Sequence, residues 1–285
     1  MSKIGPDRQH AAAAAAFDEI AADYDGVYGP DGNAVMTWMR HQSLSLLQAA
    51  FRAHDAPPGS RLLELGCGTG EEAVSLAQIG YRVLVTDVAP QMVALARAKA
   101  DRVGVGGQVH GVALAAGRID ALQPSQAFDG AYASFGGLNC EPDLLAMGRA
   151  LARLVRPGGV FVTSVMGPTC LFEMVWYLLH LRPRRALRRM GGRWQRAPVA
   201  GRSGRERAVL TRYLTVKQLT AALSGFVLVR ALALPLFLPP PYADSLYRRH
   251  ADLFRWVERY DRSLRDRQPW RHLGDHTVLV LQRRA

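Results

Sequence analysis

The residues best placed to do chemistry are three alternate glycines, Gly66, Gly68 and Gly70, with a carboxylate two positions before them at Glu64. Glycines lack the Cβ atoms that would keep a ligand away from the backbone. The helix that the pattern predicts from Glu71 presents unpaired N–H groups to anything negative nearby. A dinucleotide-binding fingerprint would need glycine at position 71, and an acid beside the turn favours a cationic or amine-bearing ligand over a pyrophosphate.

A second carboxylate, Asp87, follows the apolar run Arg82–Thr86 that predicts the next strand. It stands 17 positions after Gly70, where an acid can accept hydrogen bonds from both hydroxyls of a ribose. Asp87 considered alone could equally cap the helix that follows. Combined with the glycine turn, it predicts a ligand that contains a ribose.

These segments resemble the motifs of the class I S-adenosylmethionine-dependent methyltransferases of small-molecule type. Residues 61–70, Arg-Leu-Leu-Glu-Leu-Gly-Cys-Gly-Thr-Gly, are similar to motif I of that family. In the family, the acid at the position of Glu64 lies near the amino group of the methionine moiety. The resemblance implies S-adenosyl-L-methionine as the cofactor and S-adenosyl-L-homocysteine as the product.

Further segments carry the resemblance from residue 17 to residue 166, in the order that the family requires. Residues 17–25 are similar to a lid whose tyrosine, here Tyr24, closes over the methionine end of the cofactor. Residues 87–92 resemble the pattern D-x-S-x-x-M, with alanine in place of serine. Residues 128–140 resemble motif IV, and residues 155–160 resemble the turn that leads into the fifth strand.

The adenine contact departs from the family pattern. The family commonly has an acid directly after the glycine at position 117, but this chain has Arg118 there and its acid at Asp120. Either the register of the acid is looser here, or the backbone of Arg118 and Ile119 holds the adenine. The resemblance implies that the cofactor is bound by Tyr24, Glu64, Gly66, Cys67, Gly68, Gly70, Asp87, Val88, Met92, Arg118, Ile119, Ser134 and Phe135.

The resemblance also implies an α/β fold, with a Rossmann-like seven-stranded sheet, helices on both faces and an antiparallel seventh strand. A helical cap is expected from the N-terminal helices and from insertions after the fifth and sixth strands. The predicted regions are an N-terminal helical lid at 1–55, the cofactor-binding core at 56–168, a substrate cap at 169–212, and the rest of the core at 213–285, which contains a helical insertion at 239–268. Within the lid, we expect disorder before residue 8, then helices at 9–24 and 32–53.

The formal charge of +12 is concentrated in one segment. Ten arginines and one acid lie between Arg182 and Arg207, which leaves the rest of the chain with only +3. An apolar and aromatic stretch that begins at residue 171 precedes them. The segment could cap an apolar pocket, lie on an anionic membrane or contact RNA phosphates, although no recognised RNA-binding module is present.

Methyl transfer from a sulfonium needs mainly alignment, and a base is needed only if the acceptor must lose a proton. The candidate bases are His276, His180, Glu173 and Tyr24. A lone histidine is more often structural, but Asp275 could orient the ring of His276.

The expected acceptor is a small, largely apolar molecule, such as a natural product or a lipid or quinone-like intermediate, in contact with Asn139, Phe172 and Trp176. The alternatives are an RNA or protein methyltransferase that uses the arginines, and an inactive binding protein of the same fold. Three scattered cysteines predict neither a disulfide framework nor a metal site, and indicate the reducing cytoplasm. No apolar run reaches the ~18 residues that are needed to span a bilayer. Contact with a membrane is therefore expected to be peripheral, if it occurs.

Overall fold

The computed structural model describes residues 5–29, 32–200 and 206–285, with the side chains of Ala200 and Glu206 left out. Its centre is a seven-stranded sheet. The sheet contains β1 (Arg61–Leu65), β2 (Arg82–Asp87), β3 (Val109–Ala113), β4 (Phe128–Ala133), β5 (Val155–Met166), β8 (Phe226–Leu234) and β9 (His276–Arg283). Two further strands, β6 (Gln195–Ala200) and β7 (Glu206–Thr211), pair with each other outside it.

Helices cover both faces of this sheet. They are α1 (Pro6–Tyr28), α2 (Ala34–Ala53), α3 (Glu71–Gln78), α4 (Pro90–Arg102), α5 (Leu144–Leu154), α6 (Leu171–Leu179), α7 (Pro183–Ala186), α8 (Val216–Ala222), α9 (Asp244–Arg249) and α10 (Ala251–Leu264). One apolar cluster joins α2, α3 and α4 to the sheet around Phe51, Tyr81 and Tyr132. The other joins α5 and α8 to the opposite face around Phe161 and Phe226.

The strand order is β3-β2-β1-β4-β5-β9-β8, and it confirms the predicted fold class. Strands β1 to β5 run parallel, whereas β9 lies antiparallel between β5 and β8. The order reverses at β1 and β4, so the carboxyl ends of those strands open a crevice that suits a ligand. The antiparallel register pairs His276, the first residue of β9, with Met166 at the end of β5. The start of β9 therefore reaches the same edge as the ends of the parallel strands.

The N-terminal helix is longer than predicted at both ends. It begins at Pro6 and continues past Tyr24 through Gly26 to Tyr28, so the expectation of disorder before residue 8 is wrong for Pro6 and Asp7. Residues 1–4 and 30–31 lie outside the described residues. Proline is favoured in the first helical turn because its missing N–H would be unpaired there anyway. The second helix, α2, is capped at its N-terminus by Asn33, whose side chain accepts from the Met36 N–H at 2.9 Å.

The insertion at 169–212 is only half helical, which corrects the prediction of a helical cap there. Helices α6 and α7 come first, and β6 and β7 then pair as an antiparallel hairpin. Because successive side chains of a strand point to opposite faces, Val209 and Thr211 of β7 share one face, and both are buried. The insertion at 239–268 is helical as expected, with α10 held by Asp261, whose carboxylate accepts from Leu236 and Phe237 at 2.7 and 2.8 Å.

Candidate active site

A cavity of about 330 Å³ opens at the carboxyl edge of β1, β2 and β4. Helices α1 and α2 and the hairpin β6–β7 close it from outside the sheet. It is lined by His10, Ala13, Phe17, Tyr24, Tyr28, Met36, Arg40, Leu65, Gly66, Cys67, Gly68, Thr69, Glu71, Glu72, Asp87, Val88, Met92, Leu114, Ala115, Ala116, Ser134, Phe135, Gly136, Gly137, Leu138, Cys140, Glu141, Met166, Ala197, Pro198, Val199, Val209 and Thr211.

The glycine turn after β1 forms the floor of the cavity. Gly68 has φ +51°, and a Cβ there would lie 3.9 Å from the ring of Tyr24, inside the cavity. Gly70 does not line the cavity, and its φ of +81° starts α3 instead. A Cβ on Gly70 would lie 2.5 Å from the Cβ of Ala96 on α4. One glycine therefore bares backbone to a ligand, whereas the other allows two helices to pack closely.

Asp87 ends β2 with both carboxylate oxygens at the cavity wall. One oxygen accepts from the Gly68 N–H at 2.9 Å and the other from the Ala89 N–H at 3.0 Å. Burial raises the pKa of Asp87 to about 6, although these backbone donors act in the opposite direction. Each oxygen keeps a lone pair for a further donor, so the carboxylate can still accept from a ligand diol.

Glu64 lies behind the lining, one residue before Leu65, and only 1% of its surface is exposed. Within the described part of the chain, its Oε2 has no partner in good hydrogen-bond geometry, although the Tyr132 hydroxyl is near enough to act on the pKa of Glu64. Burial, followed by repulsion from the nearby Glu72 carboxylate, raises the pKa of Glu64 well above its ordinary value. A buried carboxylate oxygen without a donor is costly, and a cationic ligand would relieve that cost.

Arg40 is the cavity residue that sequence reasoning missed. It projects from α2, with its Nε 3.4 Å from Glu72 and its guanidinium carbon 6.0 Å from the centre of the Phe135 ring. Its Nη1 is buried without a hydrogen-bond partner among the described residues. A single arginine on a predicted helix gives no spacing signal, because only the packing of α2 brings it to the end of β4.

After β3, the cavity wall is formed by residues that precede the predicted adenine contacts. Val88 and Met92 line the wall, joined by Leu114, Ala115 and Ala116 after β3. Arg118 and Ile119 are absent from that wall. Arg118 is exposed and paired with Asp7 of α1, and Ile119 is buried in the core behind it.

The acid that serves this region is Glu141, far along the sequence from the position where the family pattern has one. Its carboxylate accepts from the Gly117 N–H at 2.8 Å and lies 3.0 Å from Nε2 of His10 on α1. It also accepts from the Asp143 N–H at 2.7 Å. Glu141 thus ties the loop after β3 to α1, and it comes near that loop only through the fold.

Other predicted cofactor residues, Cys67, Ser134 and Phe135 as well as Tyr24, lie on the cavity wall. Tyr24 comes from α1, as the resemblance implies for the lid. The Phe135 N–H donates to Ser164 Oγ of β5 at 2.7 Å, which fixes the loop after β4. Burial raises the pKa of Tyr24, which makes its hydroxyl a poor base at neutral pH.

The residues predicted to contact the acceptor do not meet in the cavity. Asn139 is buried, and its amide donates to the carbonyls of Met166 and Arg212 while its oxygen accepts from the Met166 N–H. This side chain is fully used in pinning the loop after β4 to β5. Phe172 stacks on Trp176, with ring centroids 6.2 Å apart, and packs against Phe254 of α10. Apolar character identified these aromatics but could not show which surface they cover.

The candidate bases lie in different parts of the structure. Glu173 is buried in ion pairs with Arg188 and Arg189, and the Nε of Arg189 lies 2.5 Å from its carboxylate. His180 is exposed at the end of α6 and hydrogen-bonds the Trp176 carbonyl. Neither lines the cavity. His276, only 5% exposed, does not line the cavity either, but its ring meets the cavity residue Phe135 edge-on at 6.2 Å between centroids.

Two classes of feature are missing from the described ranges. No group of three His, Cys, Asp or Glu side chains within them is arranged to hold a metal ion. No helix within them is long and apolar enough to span a bilayer.

Comparison with known proteins agrees with this geometry. Residues 62–159 match the family described as "Methyltransferase domain". The ubiquinone biosynthesis O-methyltransferase of Xanthomonas campestris is 36% identical over 117 residues, which are 41% of this chain and 47% of that protein. The chain therefore matches about half the length of this relative.

Solved structures extend the likeness in fold to nearly the whole chain. The CcbJ methyltransferase of Streptomyces caelestis superposes with a TM-score of 0.58 at 20% identity, and the match covers 95% of this chain and 98% of that one. The [4+2]-cyclase SpnF superposes with a TM-score of 0.55 at 20% identity, with 85% and 81% covered. Residues 62–159 are therefore similar to a methyltransferase domain, and the order of the sheet is that of the Rossmann-like fold found in class I methyltransferases.

Proposed function

We propose that the protein transfers a methyl group from S-adenosyl-L-methionine to a small, largely apolar acceptor. The observation that carries the proposal is a carboxyl group behind the cavity wall and a guanidinium on it, each with a buried atom that has no hydrogen-bond partner among the described residues. Glu64 has a carboxylate oxygen without a donor, and Arg40 has a guanidinium nitrogen without an acceptor. These two groups complement the ammonium and the carboxylate of a methionine moiety.

The remaining residues fit the rest of the cofactor. Asp87 would accept from the ribose hydroxyls, while Val88, Met92 and Leu114 offer apolar surface to adenine. Bound there, the cofactor supplies a methyl group already activated by its positive sulfur. The chain itself would supply alignment, through the fixed loop that carries Ser134 and Phe135.

The acceptor side of the cavity is apolar. Ala197, Pro198 and Val209 of the hairpin face Met36 and Met166 across it. A cavity volume of about 330 Å³ suits a small molecule better than a segment of nucleic acid or protein. The name of the Xanthomonas relative, a ubiquinone biosynthesis O-methyltransferase, supports an acceptor related to quinones.

The arginine cluster gives little support to an RNA substrate. Arg188 and Arg189 are paired with Glu173, and Arg207 is paired with Glu19 of α1. Arg202 and Arg205 lie outside the described residues. Part of the positive charge of this segment is therefore neutralised by ion pairs within the fold.

Titration calorimetry with S-adenosyl-L-methionine tests the cofactor assignment. We expect one site, with affinity lost in Arg40→Met and kept in Arg149→Met, a control at an exposed arginine of α5. Incubation of a lipid extract with the protein and methyl-labelled cofactor should then yield a labelled small molecule, identified by mass spectrometry. A protein that binds the cofactor but labels nothing would support the inactive binding protein instead.

A second proposal concerns the outward side of α6 and α7, which we call the outer patch and define by its exposed side chains, Val175, Trp176, Leu178, Leu179, Leu181, Arg182, Arg184, Arg185 and Leu187. Its apolar side chains are exposed, with Leu179 at 76% and Leu181 at 89%. Exposed Arg182, Arg184 and Arg185 follow directly. Leucines beside arginines are complementary to acyl chains beside anionic headgroups, so we propose that the outer patch rests on an anionic membrane.

Sedimentation with vesicles tests this contact. We expect the protein to sediment with phosphatidylglycerol vesicles and to stay in solution with phosphatidylcholine vesicles. Arg184→Gln with Arg185→Gln should weaken the interaction, whereas Arg149→Gln should not. Equal sedimentation by the two kinds of vesicle would contradict the proposed role of charge.

A further inference from the structure

The start of β9 brings a buried carboxylate–imidazole pair to the cavity edge. Nδ1 of His276 lies 3.0 Å from Oδ2 of Asp275, and both residues are at most 5% exposed. Asp275 in turn is held by Arg189, whose Nη2 donates to its Oδ1 at 2.7 Å and whose Nη1 donates to its carbonyl at 3.2 Å. The ring of His276 is therefore fixed by a chain of buried charges.

That chain decides which nitrogen of His276 can act as a base. Burial alone would raise the pKa of Asp275, but Arg189 and His276 outweigh it and hold that pKa below its ordinary value. An ionised Asp275 can only accept at Oδ2, so Nδ1 must carry a proton. In the neutral ring, Nε2 is then the nitrogen with a free lone pair.

Nε2 faces the loop after β4. A Cβ placed on Gly136 would lie 3.6 Å from Nε2 and 3.2 Å from Cε of Met166. Gly136 and Met166 both line the cavity, and no hydrogen bond to Nε2 occurs within the described residues. Glycine at position 136 therefore places no side chain between Nε2 and the cavity.

The surroundings of the ring contain few other titratable groups. Its strand neighbours are Met166 on β5 and Leu234 on β8. The loop after β4 adds Phe135, Gly136 and Asn139, which do not titrate. Among the described residues, the charged groups behind the ring are Asp275, Arg189 and Glu173, and the titratable side chains of Cys170 and Tyr213 lie beside them.

We propose that His276, positioned by Asp275, is the general base of the methyl transfer, and that the acceptor atom is the oxygen of a weakly acidic hydroxyl such as a phenol. This inference rests on the proposed function. The hydroxyl proton passes to Nε2, an oxygen electron pair forms the new bond to the methyl carbon, and the carbon–sulfur electron pair stays on sulfur. The imidazolium then returns the proton to water. The structure thus favours O-methylation, which the sequence left open.

The test compares 1-naphthol with 4-nitro-1-naphthol, which is far more acidic and needs less help from a base. His276→Asn should lower kcat for 1-naphthol by about 10²- to 10⁴-fold with little change in KM. It should affect the nitro compound much less. His180→Asn, at an exposed histidine, should change neither rate. Equal losses for both naphthols, or faster methylation of 1-naphthylamine than of 1-naphthol, would overturn the proposal.

Nitrogen-15 NMR of the histidine rings gives a readout that needs no acceptor. At a pH where the ring is neutral, His276 should show a protonated Nδ1 and a bare Nε2, and Asp275→Asn should shift the proton towards Nε2. A proton on Nε2 in the wild-type protein would refute the assignment. Calorimetry with S-adenosyl-L-methionine reports separately on the proposed function, because His276→Asn should bind the cofactor as the wild type does.

Discussion

The glycine turn after β1 and the insertion at 169–212 border the same cavity, but different forces position them. In the turn, neighbouring backbone sets the geometry, and Asp87 needs only the N–H groups of Gly68 and Ala89. In the insertion, position depends on ion pairs between residues far apart, such as Arg189 with Asp275. The first region is encoded by a short pattern, whereas the second is encoded by pairs that only the fold brings together.

The two sides of the insertion also differ in burial. Its inner side buries Glu173 and Arg189 at 2% and 4% exposure, whereas Leu179 and Leu181 on the outer patch are mostly in solvent. Residues a few positions apart thus have opposite environments. Substitutions on the inner side should therefore lower the free energy of unfolding more than substitutions on the outer patch. Substitutions in the glycine turn should instead affect ligand binding more than stability.

The largest effect on stability is expected from Arg189→Met. Removing this guanidinium leaves the carboxylates of Glu173 and Asp275 buried with less compensation, which costs about 3–5 kcal/mol. Urea unfolding measures it. Arg184→Met, the same substitution at an exposed arginine, should change the free energy of unfolding by no more than about 0.5 kcal/mol. Similar losses in the two variants would remove the distinction between the inner and outer sides.

In the turn, Asp87→Asn should act on the cofactor. Asparagine offers one acceptor where the carboxylate offers two and carries no charge, so S-adenosyl-L-methionine should bind about 10- to 100-fold more weakly. Calorimetry measures the loss. Asp120→Asn, at an exposed acid of the next loop, is the matched control and should bind normally. A normal affinity in Asp87→Asn would mean that the ribose is held elsewhere.

The pH dependence of the cofactor-free protein should reveal the same carboxylate. The pKa of Asp87 is about 6 in the folded protein, above the ordinary 3.8. The folded state thus binds the proton more tightly, so this group's contribution makes stability fall as pH rises from about 4 to 6, by at most about 3 kcal/mol. Asp87→Asn should lack that component in unfolding curves measured from pH 4 to 7.

Cofactor affinity should change in the opposite direction. Ribose hydroxyls donate to the ionised form of Asp87, so binding should tighten as pH rises through about 6. Calorimetry at pH 5, 6 and 7 checks this for the wild type and for Asp87→Asn, whose affinity should vary less. An affinity that weakens over this range would contradict the assignment of Asp87 to the ribose.

The success of the sequence predictions follows the same division. The sheet order, the turn and the position of Asp87 at the end of β2 could be predicted, because each depends on local pattern and on the order of segments. Arg40 was missed, since nothing within its own helix distinguishes it. Glu141 was missed for a related reason, because it reaches Gly117 across 24 positions.

The errors within the insertion have a physical cause as well. Phe172 and Trp176 have the apolar character of cavity residues, but α6 turns them towards α10 and each other. The hairpin β6–β7 lines the cavity instead, through small residues such as Ala197 and Val209. Hydrophobicity predicts that a side chain seeks an apolar environment, but it does not specify which one.

The smallest effect on stability, and the sharpest test of the outer patch, is expected from Leu179→Ser with Leu181→Ser. Both side chains are mostly exposed already, so the free energy of unfolding should change by no more than about 0.5 kcal/mol for each. Sedimentation with phosphatidylglycerol vesicles should nevertheless fall, because the apolar part of the contact is lost. Leu145→Ser, at a leucine of α5 that is 58% exposed, should leave sedimentation unchanged. If the double variant instead unfolds in lower urea than the wild type, these leucines pack against the protein, and the patch belongs to the fold rather than to a membrane contact.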